Sequence, residues 1–125
     1  MRYENWKNSV KKEICPSGNA TVQTLDALHR YFINNFSYAT ELESPGASNK
    51  YYAWENMKCD CFGAAGMFGD IASDLNFKVG YRVGYENNGG TIYEYMSDAV
   101  SNTSSHIHNA VWINGAWKYY DATPY

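Results

Sequence analysis

Apolar residues recur every three or four positions in the first half of this chain and alternate in the second. Trp6, Val10 and Ile14, at four-residue steps, predict a short amphipathic helix over 3–14. Cys15-Pro16-Ser17-Gly18-Asn19 breaks it. Val22, Leu25, Leu28, Phe32 and Phe36 then form one apolar stripe, which predicts a second helix over 20–36 with Thr21 or Asn19 as its cap. His29 lies beside that stripe and reads as a partly exposed helical histidine. Pro45, Gly46, Ser48 and Asn49 mark 41–50 as a loop, and Tyr51-Tyr52-Ala53-Trp54 leads on from it, as a cleft wall or as surface anchored by rings. Cys61, Ala65, Phe68, Ala72 and Leu75 share one face of a predicted central helix over about 61–75. Asp60 stands at its N-cap and Asn76 at its left-handed stop. Gly63, Gly66 and Gly69 each weaken that helix by about 1 kcal/mol against alanine, so their shared side implies a close neighbour.

From Phe77 the period changes. Phe77, Val79, Tyr81, Val83 and Tyr85 alternate and predict a strand. Asn87-Asn88-Gly89-Gly90 reads as a turn, 91–96 as a short strand and 97–105 as a polar loop. Two further strand-like runs, 106–113 and 116–121, flank Asn114-Gly115, a strong hairpin signal. Helices followed by an antiparallel sheet place the chain in the α+β class, and 125 residues fit a single domain over 1–125.

Charge and composition narrow the partners. A net charge of −3 without a Lys/Arg cluster argues against nucleic acid. No apolar run approaches the roughly 18 residues of a transmembrane helix, and the N-terminal residues lack the apolar core of a signal peptide. Three cysteines are too few for a disulfide framework, although a Cys15–Cys59 bridge stays open. Cys59 and Cys61 are too close for the usual zinc pair, and there is no calcium loop.

The remaining chemistry is nucleophilic. Cys61 falls in the first helical turn, where the positive end of the helix favours thiolate over thiol. His106, His108 and Asp121 follow, so a thiol, a base and a group to orient the base are all present. A small buried cysteine serving only the core is the plainer alternative. Around a two-residue turn, position 113 faces 116, so His108 faces Asp121 and His106 is its diagonal neighbour, roughly 7–8 Å away at the backbone. Both histidines therefore remain open as the base.

Cys61-Phe-Gly-Ala-Ala65, a helix ending in Leu75-Asn76-Phe77 and the strand Val79-Gly-Tyr-Arg-Val-Gly84 resemble the transglutaminase-like superfamily. So do His106-Ile-His-Asn-Ala-Val111, Asn114-Gly-Ala-Trp-Lys118 and Tyr120-Asp-Ala-Thr123, set against that family's His-Ala-Trp-Asn-x-Val, Asp/Asn-Gly-Lys-Trp-Tyr and Val-Asp-Pro-Thr. Phe36-Ser37-Tyr38 also matches the end of the family's preceding helix, and the resemblance spans about residues 20–123. Asn76, Ala116 and Ala122 depart from the pattern, and His108 stands where the family usually has an aromatic residue. The resemblance implies a papain-like fold with Cys61 as nucleophile, His106 as base and Asp121 as orienting acid. It implies thiol acyl transfer or amide hydrolysis on a protein or peptide, with no metal or cofactor. The Cys61 backbone N–H would meet the oxyanion, and Trp54 is either a second donor or a packing ring. The rival reading is an inactive module whose rings, Tyr51, Tyr52, Trp54 and Trp112, hold peptide or glycan.

Overall fold

The computed structural model describes residues 2–87, 90–97 and 106–125. Helices α1 (Arg2–Ile14), α2 (Val22–Asn35), α3 (Lys50–Asn56) and α4 (Cys61–Asp74) precede a sheet of β3 (Lys78–Asn87), β4 (Gly90–Ser97), β5 (His106–Ile113) and β6 (Ala116–Tyr120). The strand order is β4-β3-β5-β6, with every neighbouring pair antiparallel. Two short strands, β1 (Ser37–Tyr38) and β2 (Lys58–Cys59), pair in parallel beside the helices. The fold is thus α+β, as the switch of hydrophobic period implies. Residues 88–89 of the expected turn and 98–105 of the expected polar loop lie outside the described residues.

Helix α4 is the centre of the molecule. Ten of its residues are buried, Cys61, Gly63 to Gly69, Ile71 and Ala72 among them. Burial is not confined to the predicted face, because elements pack on α4 from several sides. Phe68, Met67 and Ile71 join Leu25, Leu28 and Phe32 of α2 in one core cluster. Cys61 and Ala65 join Tyr81, Val83 and Ile107 of the sheet in another. The three glycines face three different neighbours: Gly63 the backbone carbonyl of Ala47, Gly66 the Lys50 side chain and Gly69 the Tyr81 phenol. Each gives up helix propensity where a methyl group would meet a packed element. Polar ties fix α1 to the same helix, with Tyr3 donating to Asp70 at 2.7 Å and Lys7 to Asp74 at 2.8 Å.

The run 50–56 is a helix, not part of the loop. Asn49 caps it by accepting from the Tyr51 N–H at 2.9 Å, and Met57 ends it in the left-handed conformation with φ 53°. Seven residues are too few for a periodic signal, and Asn49 reads in sequence only as a loop residue. The rest of 41–49 is a turn-rich loop that, with Tyr52, Glu55 and Asn56, lines a pocket of about 510 Å³. None of Cys61, His106 or Asp121 lines that pocket.

Candidate active site

Cys61 is positioned by its cap. One oxygen of the Asp60 carboxylate accepts from the backbone N–H groups of Phe62 and Gly63 at 2.9 and 3.0 Å, while the other accepts from the Ser48 hydroxyl. The Asp60 N–H donates to the Ala47 carbonyl at 3.2 Å. Cap, loop and helix start are therefore one unit, and Cys61 is the first residue after it. Cys59, two positions earlier, is fully buried in β2. Burial, with Asp60 and Cys61 nearby, pushes its thiol up to about 12. Cys15, Cys59 and Cys61 are all free thiols, so no Cys15–Cys59 bridge forms here.

His106, His108 and Asp121 come from the β5–β6 hairpin and the residue that follows it. Asn114 and Gly115 have φ of 51° and 83°, and two positive values are what the two-residue turn requires. The ladder runs from Ile113↔Ala116 to Asn109↔Tyr120 and stops. Asp121 thus leaves the strand before it can sit opposite His108. Its Oδ1 accepts from the Thr123 N–H at 3.1 Å and hydroxyl at 2.6 Å, and its Oδ2 meets His106 Nε2 at 2.7 Å. Hydrogen bonds to Asp121 and Cys61 raise the His106 imidazole from 6.5 to about 10. Burial alone would raise the Asp121 carboxyl, but the bonds from His106 and Thr123 outweigh it and hold it low. One ring thus links the thiol of α4 to the carboxylate after β6.

His108 occupies a different environment. It is buried, stacked on Tyr119 at 5.7 Å between ring centroids, with the Arg82 guanidinium 4.1 Å from the Tyr119 ring. Burial, with Arg82 and His106 close by, lowers its imidazole to about 4. Ligand atoms of His106, His108 and Asp121 nevertheless all lie within 4.8 Å of one another.

Trp54 is not gathered with this group. It stacks on Trp6 at 6.0 Å and lies near Tyr3, on the α1 side of the core. Its indole N–H is buried with no hydrogen-bond partner among the described residues. Of the four rings of the rival reading, Tyr51, Tyr52 and Trp54 share α3, and Trp112 lies elsewhere. Tyr51 lies against Tyr3, whereas Trp112 packs on Trp117 and under Lys78 at the turn end of the hairpin. Two residues that sequence reasoning did not select do touch the site's framework. His29 of α2 donates from Nε2 to the Asp121 carbonyl at 2.9 Å. Asn109, fully buried on β5, donates to the Ala65 carbonyl of α4 at 3.0 Å and ties the element that carries Cys61 to the one that carries His106. Asn109 stands inside the His106–Val111 motif, though its sequence does not say what it bonds, whereas His29 stands in no motif and is recognisable only by what it reaches across space.

A helix starting at a cysteine, laid on an antiparallel sheet that presents histidine and aspartate, defines a papain-like α+β protein. A family model described as the transglutaminase-like superfamily matches residues 8–122, and the chain belongs to that superfamily. Among solved structures, a TGase superposes with a TM-score of 0.65 at 14% identity, covering 95% of this chain and 32% of that one. A candidate cysteine protease from Cytophaga hutchinsonii superposes with a TM-score of 0.65 at 15% identity, covering 97% of this chain and 37% of that one. This chain therefore spans about a third of the length of both. No curated protein matches it in sequence.

Proposed function

We propose that the protein carries out thiol-dependent acyl transfer or amide hydrolysis on a protein or peptide, through Cys61, His106 and Asp121. The observation that carries this reading is the His106 ring, hydrogen-bonded on one side to Asp121 and on the other to the Cys61 thiol. Cys61 transfers its proton to His106, and the thiolate attacks the amide carbonyl carbon. The tetrahedral oxyanion meets the Cys61 backbone N–H, since Asp60 already occupies those of Phe62 and Gly63. The C–N bond breaks as His106 returns the proton to the leaving amine, leaving a thioester on Cys61. Water then releases an acid, or a primary amine releases a new amide. Asp121 keeps the ring oriented and favours its protonated form, and Thr123 holds Asp121.

A peptide library incubated with and without a primary amine tests this reading. Cleaved peptides identify a hydrolase, amine-linked peptides a transferase, and both products should vanish in Cys61→Ala. Neither product from a folded protein would make it an inert module.

A further inference from the structure

His106 and His108 leave β5 two residues apart, and Asp121 closes on them from the end of β6. Three donors from two adjoining segments thus converge, all within 4.8 Å of one another. A tetrahedral zinc ion with bonds of about 2.0–2.1 Å to nitrogen and oxygen spaces its donors about 3.3 Å apart. His106 Nε2 and Asp121 Oδ2, at 2.7 Å, need only to part slightly to admit an ion between them. The third donor needs a swing of about 1.5 Å at most, within reach of a side-chain rotation.

The surroundings favour the same use. Thr123 holds Asp121 Oδ1 from two sides, which aims Oδ2 at the histidines in the way outer partners orient metal-binding carboxylates. Tyr119 stacks on the His108 ring and fixes its plane. The Asp121 side chain is 36% exposed, so the site has an entry from solvent. Two imidazoles and one carboxylate suit a borderline ion such as Zn²⁺ better than a hard ion such as Ca²⁺. The Arg82 guanidinium, close by over Tyr119, opposes a cation and so limits affinity. The Cys61 sulfur is not among the converging donors.

We infer that His106, His108 and Asp121 form a binding site for Zn²⁺ or a similar transition-metal ion, and that filling it silences the Cys61 thiol. Binding displaces the Nε2 proton of His106 to solvent and takes the Asp121 oxygen that supports the ring. A ring bound to a dication at Nε2 is a poor proton acceptor at Nδ1, so Cys61 loses its base. No electron is transferred, and removing the ion restores the proton. His108 is the ligand that turns an acid–base pair into a three-donor site, and an aromatic residue in its place would abolish it.

The silencing rests on the acyl-transfer reading, whereas the metal site rests on the donors alone, and the tests separate them. The Cys61→Ala protein, titrated with Zn²⁺ or with Co²⁺ as a visible reporter, should bind one equivalent. Adding His108→Phe or His108→Asn, each checked for folding by circular dichroism, should weaken binding at least tenfold. No binding to Cys61→Ala, or equal binding after either folded substitution, overturns the site. In the unmutated protein, Zn²⁺ should slow iodoacetamide labelling of Cys61 at least tenfold, and EDTA should reverse it. Equal slowing in the His108 variants would mean that the Cys61–His106 pair alone captures the ion, which also overturns the proposal. A thiol unreactive even without metal would sink the acyl-transfer reading and leave the Cys61→Ala titration to decide the site.

Discussion

His106 and Asp121 meet at 2.7 Å although strand register would set Asp121 opposite His108. The contact exists because pairing between β5 and β6 ends at Asn109↔Tyr120, and the next residue turns away under the hold of Thr123. The end of a ladder, not its register, thus selects the imidazole that is raised to about 10 over the one that is lowered to about 4.

The first prediction follows from that selection. His106→Ala should slow alkylation or turnover at Cys61 by roughly 10²–10⁴-fold, the range of a positioned acid–base group. His108→Ala should cost far less. Rates measured on both variants by stopped-flow labelling decide it, and the reverse order would hand the role of base to His108.

The two neighbouring thiols should differ as sharply. Near neutral pH an iodoacetamide probe should mark Cys61, and Cys61→Ala should remove that signal. Cys59→Ala should leave it, since Cys59 is fully buried with its thiol pushed up to about 12. Peptide mapping by mass spectrometry reads the modified position directly.

His29 gives a test of remote positioning. Its N–H holds the Asp121 carbonyl, and a hydrogen bond of this kind contributes about 0.5–1.5 kcal/mol. His29→Ala should therefore slow Cys61 labelling by up to about tenfold. His29→Gln, which retains an N–H donor, should recover part of the rate. If the two variants lose stability equally but leave the rate untouched, His29 acts on folding alone.

Packing on α4 predicts an ordered series in urea denaturation. A methyl group at Gly63 would strike the Ala47 backbone, which cannot swing aside, so Gly63→Ala should cost roughly 1–3 kcal/mol. Gly69→Ala should cost a comparable amount, because the methyl would meet the phenol end of Tyr81, which ring rotation does not move and which is buried among Ala65, Val83 and Ile107. At Gly66 the contact is with the Lys50 side chain at 3.3 Å, and alanine recovers up to about 1 kcal/mol of helix propensity. Gly66→Ala should leave the midpoint unchanged or raise it.

Stability should carry the signature of the His106–Asp121 pair. His106 is raised from 6.5 to about 10, so its contribution is complete below 6.5 and fades as pH climbs to about 10. Asp121 is held below its ordinary 3.8, so its contribution is present above that value and is lost in acid. The Tm gap between the unmutated protein and Asp121→Asn should thus be widest between about pH 4 and 6.5 and narrow on either side. A gap constant from pH 4 to 10 would mean that the pair is not charged in the folded protein.

The sequence by itself determined the local elements and their order. Spacing alone marks the stripe of α2, the Asp60 cap, the Asn76 stop at φ 70° and the Asn114-Gly115 turn, because each is set by backbone preferences within a few residues. It also carried the motif residues Cys61, His106 and Asp121, but left two histidines open from geometry. Tertiary structure decided the rest. The seven-residue α3, the two-residue pairing of β1 with β2 and the bonds of His29 and Asn109 join positions distant along the chain. Such contacts depend on where packed elements come to rest. No periodicity records the point at which a ladder stops, and here that point places the carboxylate.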